Sequence, residues 1–213
     1  MKTFEMTVSD KVMNELIQKD PILGSFILKT GPLSRTGIED PYLATLDCII
    51  SQQVSAKAAI SISNRFFEKF PQGNPQMIID ASLDEIRLCG LSNSKGNYLK
   101  NIAQSKLDGS VPYDQLHLLS SSEIEMLLLP IKGVGRWTVE MVLIFSLQKE
   151  DILSFGDLAI LRGMMRIYHK KKITPAFFHK IRKRLSPHLS AASFYFWKAS
   201  LEKENIPYKK GLE

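Results

Sequence analysis

The stretch Leu127–Ile160, LLLPIKGVGRWTVEMVLIFSLQKEDILSFGDLAI, limits the folds open to this chain more than any other segment. An apolar helix end is closed by Pro130. The turn Ile131-Lys132-Gly133-Val134-Gly135 follows, and a second apolar helix begins near Arg136 and runs to about Leu147. Glycines on either side of Val134 leave the backbone bare and able to turn tightly. Val134 itself reads as a peg buried between two packed helices. The turn delivers the chain to a helix N-terminus, where unpaired N–H groups point outward and the dipole is positive. Backbone amides in such a turn can hold a phosphate unaided. Beyond a short loop, Asp157 opens another helix, from Leu158 to Tyr168, in the position of its N-cap.

Helical periodicity dominates the remainder. Between Pro41 and Phe70, Leu46, Ile49, Ile50, Val54, Ala58 and Ile62 recur at helix spacing, with a break at Ser51-Gln52-Gln53. Ser82 with Glu85, and Ser120 with Glu123, have the spacing of capping boxes, and Gly90 stops the helix that Ser82 starts. Tyr98, Leu99, Ile102 and Ala103 mark one face of a helix that ends at Asp108-Gly109. A helix from Ser9 or Asp10 to about Lys19 is expected near the start. Pro21, Gly24, Gly31, Pro32 and Gly37 then suggest only turns and short pieces. Thr174-Pro175 begins a helix with Thr as cap and Pro in its first turn. The last long helix is expected over Ala191 to Lys203, and Pro207-Tyr208-Lys209-Lys210-Gly211 is expected to fray.

The chain has 213 residues, enough to bury a real core in one compact domain or two joined lobes. Lys and Arg number 28 against 22 Asp and Glu, a net charge of +6, which favours an anionic partner only modestly. Cys48 and Cys89 lie far apart in apolar surroundings, as buried thiols of a reducing cytosol would. They have no metal-ligand spacing and cannot supply a four-cysteine iron–sulfur cluster. No apolar run reaches the length of a membrane span, and the N-terminus lacks the apolar core of a signal peptide. These features suggest a cytoplasmic protein, with a monomer as the default state.

The run Leu129-Pro130-Ile131-Lys132-Gly133-Val134-Gly135-Arg136-Trp137-Thr138, followed by Asp157, resembles the helix-hairpin-helix superfamily of DNA glycosylases. More narrowly it resembles the 3-methyladenine DNA glycosylase II group. Ile49-Ile50-Ser51-Gln52-Gln53-Val54-Ser55-Ala56-Lys57-Ala58-Ala59, Gly90-Leu91-Ser92-Asn93-Ser94-Lys95 and Phe196-Trp197 are similar to segments of that group in the same order. The resemblance covers Tyr42 to Ser200, and the chain looks like the short form without a preceding sheet domain. It implies an all-α fold of two helical lobes with the active cleft between them. Residues 42–150 would form a central lobe with the hairpin motif at about 121–147, and residues 1–41 plus 151–213 the second lobe.

The resemblance also implies double-stranded DNA containing alkylated bases as partner, and no cofactor or resident metal. Amides of Gly133, Val134, Gly135 and Arg136 would grip a phosphate, with charge from Lys132 or Arg136. Carbonyls of the same turn would hold a monovalent cation when DNA is bound. Gln53, with Ser55 as second choice, would fill the gap left by an extruded nucleotide, and Gln52 would contact a base there. Leu91 is a second candidate wedge, and Lys95 a candidate phosphate contact. As an ordinary sequence feature, Lys95 is equally a solvated lysine in a first helical turn.

Trp137 stands where glycosylases that also cut the strand carry a nucleophilic lysine, and an indole cannot form a Schiff base. Trp137 and Trp197 would line the base pocket, with Met141 and Phe155 as further wall residues. Two electron-rich faces suit a purine made positive by alkylation. Asp157 would stabilise the cationic sugar as the N-glycosidic bond breaks, and orient or deprotonate the attacking water. Relatives often have Pro before this Asp, whereas here it is Gly156. The basic run His169-Lys170-Lys171-Lys172, with Lys180, Arg182, Lys183 and Arg184, reads first as a solvated face. Three alternatives stay open at this level: a glycosylase of the same fold for deaminated or etheno purines, a bifunctional glycosylase/lyase, against which Trp137 argues, and a non-catalytic helix-hairpin-helix DNA-binding protein.

Overall fold

A computed structural model describes residues 1–202, so the expected fraying of Pro207 to Gly211 falls outside the described residues. The chain is mainly helical and divides into two compact units, neither of them one continuous run. The first is Met1–Phe4 with Ile38–Gln148; the second is Glu5–Gly37 with the residues from Lys149 on.

In the second unit, α1 (Asp10–Lys19) starts at Ser9, whose hydroxyl accepts from the Val12 amide. The region after it departs from the sequence expectation of turns and short pieces. Pro21–Thr30 is a ten-residue helix, α2. Asp20 caps it through the amides of Ile22 and Leu23, and Pro21 occupies the first turn, where its missing N–H is harmless. Gly24 does not break α2. It lies where an added Cβ would be 3.0 Å from the Ile17 backbone, and so lets α1 and α2 pack closely. The small β element of this otherwise helical fold is a two-stranded sheet, β1 (Thr3–Thr7) with β2 (Ser34–Ile38).

In the first unit, α3 (Pro41–Ser51) and α4 (Ala56–Lys69) are separate helices broken at Gln52, as the Ser51-Gln52-Gln53 break predicts. Asp40 caps α3, and Ser55 caps α4. The short helices α5 (Pro75–Asp80) and α6 (Leu83–Arg87) precede α7 (Asn93–Leu107). The hairpin is α8 (Ser121–Leu128) and α9 (Arg136–Phe145). Both expected capping boxes form, at Ser82/Glu85 and Ser120/Glu123. The core of this unit gathers on α3. Leu46, Ile49 and Ile50 are fully buried there, and α3 packs on α4, α7 and α9. Each such aliphatic side chain contributes roughly 1.5–3 kcal/mol through removal from water.

The second unit is completed by α10 (Leu158–Ile167), α11 (Pro175–Leu185) and α12 (Leu189–Leu201). Ile160, Met164 and Ile167 form the buried stripe of α10, at the spacing of one helix face. A buried polar node sits beside them. Asp20 accepts from Tyr168 Oη at 3.0 Å and from an Arg184 guanidinium nitrogen at 2.8 Å. Burial, first, and the charge of Asp20 push the Tyr168 hydroxyl well above the usual tyrosine range. Arg184, read from sequence as part of a solvated basic face, is committed to this node. Among the described residues, no helix is long and apolar enough to cross a membrane.

Candidate active site and nucleic-acid interface

The hairpin turn is held from outside by α7. Gly133 has φ +106°, a left-handed conformation that favours glycine, and its Cα lies against the Tyr98 ring, where an added Cβ would overlap ring atoms. Asn101 Nδ2 donates to the Lys132 carbonyl at 3.0 Å. Val134 is buried at 6% exposure, the peg that its position between the glycines predicts.

Gly135 is different. It is the N-cap of α9, its φ of −99° is open to any residue, and a Cβ there would meet nothing within 4 Å. No side chain caps α9, so its first-turn amides lack the side-chain partner that Ser, Asp or Thr gives many helices here. Lys132 and Arg136 are exposed beside this end. Arg136 pairs with Glu125 of α8 at 2.6 Å, with 71% of the Arg side chain exposed. An ion pair so exposed contributes about 0–1 kcal/mol, so a phosphate can compete for the guanidinium at little cost. Uncapped amides, a bare glycine and two exposed cations suit a phosphate oxygen.

A second feature of the same unit is the turn between α3 and α4. Gln53 sits there with φ +55° and is exposed, while Ser55 spends its hydroxyl on the Ala58 amide as the α4 cap. Gln52 Nε2 donates to Thr138 Oγ1 on the first turn of α9, at 3.0 Å. Lys95, a candidate phosphate contact, donates through Nζ to the carbonyls of Ile50 and Gln52, both at 2.7 Å. Its burial pulls the ammonium below the usual lysine range. Leu91, the second candidate wedge, is packed into the protein at 5% exposure. Trp137 is half-buried on α9, and Met141, one turn further on, is 4% exposed and offers little surface to a ligand.

The second unit carries Asp157, which is 7% exposed. One carboxylate oxygen, Oδ1, accepts from the amides of Ala159 and Ile160 at 2.8 and 2.9 Å, so the acid is the N-cap of α10. Asp20 and Asp40 cap α2 and α3 in the same way, so capping by itself is a structural role. Trp197 is half-buried on α12 and stacks with Phe194 at 6.1 Å. Phe155 is 42% exposed and meets Phe178 edge-on at 4.9 Å. Gly163 of α10 lies directly on the Phe196 backbone of α12, and this close crossing joins the helix of Asp157 to the helix of Trp197.

Tyr98, Asn101, Thr138, Glu125 and Gly163 are the supporting residues that the sequence reading did not single out for the site. Sequence periodicity marks Tyr98 only as part of an apolar face. The spacing of Lys95, Tyr98 and Asn101 along α7 carried a signal, but its targets are remote in sequence. Among the described residues, no cluster of His, Cys, Asp or Glu could hold a metal ion. The Ile131 and Lys132 carbonyls each accept one hydrogen bond, from Val134 N and Asn101 Nδ2, which leaves each a second lone pair. Neutral carbonyl donors of this kind fit a monovalent cation better than a divalent one, which takes carboxylates.

Comparison with known proteins gives a consistent result. The family described as HhH-GPD superfamily base excision DNA repair protein matches residues 46–187. DNA-3-methyladenine glycosylase 1 of Schizosaccharomyces pombe is 37% identical over 167 residues, 76% of this chain and 73% of that protein. The structure of the Schizosaccharomyces pombe 3-methyladenine DNA glycosylase in complex with abasic DNA superposes with a TM-score of 0.80 at 31% identity, covering 88% of this chain and 95% of that one. A DNA-3-methyladenine glycosidase from Bacillus halodurans superposes with a TM-score of 0.77 at 26% identity, over 94% of this chain and 93% of that one.

Proposed function

This chain belongs to the HhH-GPD superfamily of base excision DNA repair proteins, and from that premise we infer that it is a 3-methyladenine-type DNA glycosylase. It hydrolyses the N-glycosidic bond of alkylated purines in duplex DNA and leaves an abasic site. The reaction is hydrolytic only, without strand cleavage. Trp137 stands at the position of the lyase lysine and offers no amine to attack the sugar.

The damaged nucleotide is extruded, and Gln53 enters the space it leaves. The exposed, left-handed position of Gln53 in the turn after α3 supports this over Ser55, whose hydroxyl is a cap, and over Leu91, which is buried. The uncapped N-terminus of α9, with Gly135, Lys132 and Arg136, takes a backbone phosphate and sets the register of the duplex without reading sequence. We assign Trp137 a stacking contact with the extruded base, where a cationic purine gains about 0.5–2 kcal/mol, and Trp197 is a second stacking candidate by the resemblance. Phe155 is a further wall candidate by its exposure.

An alkylated purine already carries the positive charge that makes it a good leaving group. As its bond to the sugar breaks, the electron pair passes to the base and the charge to the deoxyribose. Asp157 stabilises that developing cation, and water then attacks the sugar carbon and loses a proton to the carboxylate or to solvent. The residues call for no cofactor. The carbonyls of the hairpin turn are the candidate site for a monovalent cation with DNA bound. We place the protein in the cytoplasm with its DNA, acting as a monomer.

The observation that carries this reading is the buried carboxylate of Asp157 at the head of α10, in a chain that matches a 3-methyladenine glycosylase over most of its length. The test is Asp157→Asn, assayed for base release from alkylated duplex and for binding to abasic-site DNA. Release is expected to fall by about 100-fold or more, the scale of a key electrostatic group, with binding retained. Unchanged release overturns the assignment.

A further inference from the structure

The α7 helix touches both of the DNA-facing turns of its unit. Lys95, Tyr98 and Asn101 follow one another at intervals of three residues, which spaces them over about 9 Å along the helix axis and on one side of it. Lys95 holds the carbonyls at the end of α3, where the turn carrying Gln53 begins. Tyr98 packs on Gly133, and Asn101 holds the Lys132 carbonyl, both in the hairpin turn. A third tie closes the circuit, since Gln52 reaches Thr138 on α9.

Resting on the glycosylase reading, we propose that Lys95 is a positioning residue: it fixes the Gln53 turn in register with the phosphate-binding hairpin, and is not itself a DNA contact. The last carbonyls of a helix have no partner within it, and the dipole there is negative. An ammonium placed at that end satisfies two of them at once through charge-assisted bonds, roughly twice as strong as neutral ones. Both bonds are 2.7 Å long, so two of the three ammonium protons are spent on the turn. A phosphate contact would have to break them. The same α7 backbone then carries Tyr98 and Asn101 to the hairpin, so the distance between the two turns is set by a helix and does not depend on loop conformation.

The two roles for Lys95 differ in salt dependence. A lysine on a phosphate releases a counterion, so its loss makes the slope of log K against log salt shallower by about 0.9. A lysine that positions a turn leaves that slope alone and alters extrusion. The experiment uses the full chain with Lys95→Met, Lys95→Gln and Lys95→Arg. It measures the salt slope of binding to abasic duplex, the fluorescence of 2-aminopurine beside the lesion as a report of extrusion, and single-turnover base release normalised to the fraction competent to bind DNA. Where Lys95→Met does not fold, Lys95→Gln, which keeps a donor without charge, replaces it.

The expected result for Lys95→Met is an unchanged salt slope with extrusion and normalised release both lowered about 10-fold, the loss that two charge-assisted hydrogen bonds readily account for. Lys95→Arg, which also presents several donors to the two carbonyls, is expected to recover most of it. A slope shallower by one phosphate overturns the proposal, and so does unchanged extrusion. A loss confined to the binding-competent fraction also overturns it, since that marks a structural role only. Should the wild-type protein release no base, the glycosylase reading fails, while extrusion and salt slope still decide the role of Lys95.

Discussion

Gly163 lies so close to the carbonyl of Phe196 that a methyl group on its Cα would overlap the oxygen. The contact is backbone to backbone, so no side-chain rotation can relieve an insertion there. Gly163→Ala is therefore expected to force α10 and α12 apart. Overpacking of a core costs about 1–3 kcal/mol, and a rigid backbone neighbour places this variant at the upper end or beyond. Thermal denaturation should show a clear fall in Tm. Base release should fall with it, because α10 starts at Asp157 and α12 carries Trp197 next to Phe196. A Tm equal to wild type would show that the crossing is soft.

Asp157 has a structural duty as well as its proposed chemical one, and two substitutions separate them. Asn caps helices about as well as Asp, whereas Ala at an N-cap costs about 0.5–2 kcal/mol. Asp157→Asn should keep the two bonds to Ala159 and Ile160 and leave Tm close to wild type, with base release lost. Asp157→Ala should lose both release and stability. Equal Tm values for the two variants would mean that the Oδ1 bonds contribute nothing to α10. Comparable release in wild type and Asp157→Asn would remove the carboxylate from the chemistry.

Much of this arrangement is legible in the sequence because its signals are local. The hairpin, both capping boxes, the break after Ser51 and the caps at Asp157 and Thr174 each depend on residues within one helical turn of each other. Local signals failed where a distant partner decides. Gly24 looks like a helix breaker until Ile17 is seen packed against it. Asp20 followed by Pro21 has the same cap-then-proline pattern that opens α3 at Asp40-Pro41, but the neighbouring glycines and prolines mask it as a helix start. Leu91 and Lys95 belong to a segment that matches the glycosylases, yet one is buried and the other is tied to carbonyls more than forty positions earlier. Arg184 looked like one more surface cation in a basic run, and only Asp20, at the other end of the chain, explains its orientation.

Acid should weaken the fold through its capping glutamates. Hydrogen bonds from the Ser82 backbone and side chain hold Glu85 below its ordinary value of 4.5, and those from Ser120, side chain first, do the same for Glu123. The hydrogen bond to His188 lowers Glu15 likewise, across a 2.5 Å contact. A carboxylate whose folded pKa lies below its unfolded one stabilises the protein above the unfolded value and loses that contribution as pH falls through the folded one. The urea midpoint should therefore be steady near neutrality and fall as the pH drops below the ordinary value of 4.5 and through the lowered folded-state values. Glu85→Gln with Glu123→Gln keeps amide acceptors in both boxes while removing the titration, so that variant should show a shallower drop. An identical acid profile would mean that the boxes do not sense pH.

The two glycines of the hairpin are expected to fail in opposite ways. Gly133 combines φ +106° with the ring of Tyr98 against its Cα, so Gly133→Ala has both a strained backbone and a clash to absorb. It should unfold at lower temperature whether or not DNA is present. Gly135 has an ordinary backbone and open space where a Cβ would point, so nothing within the protein requires glycine there. Gly135→Ala should leave Tm within the small range of a neutral surface change, about 0.5 kcal/mol. The added methyl would nonetheless stand between the α9 amides and an approaching phosphate. Affinity for abasic duplex should then fall about 10-fold, the loss of one or two charge-assisted bonds to the backbone. Titrating both variants with labelled DNA after recording their melts gives the contrast directly. If Gly135→Ala bound DNA like wild type, the phosphate would have to lie elsewhere than on the first turn of α9.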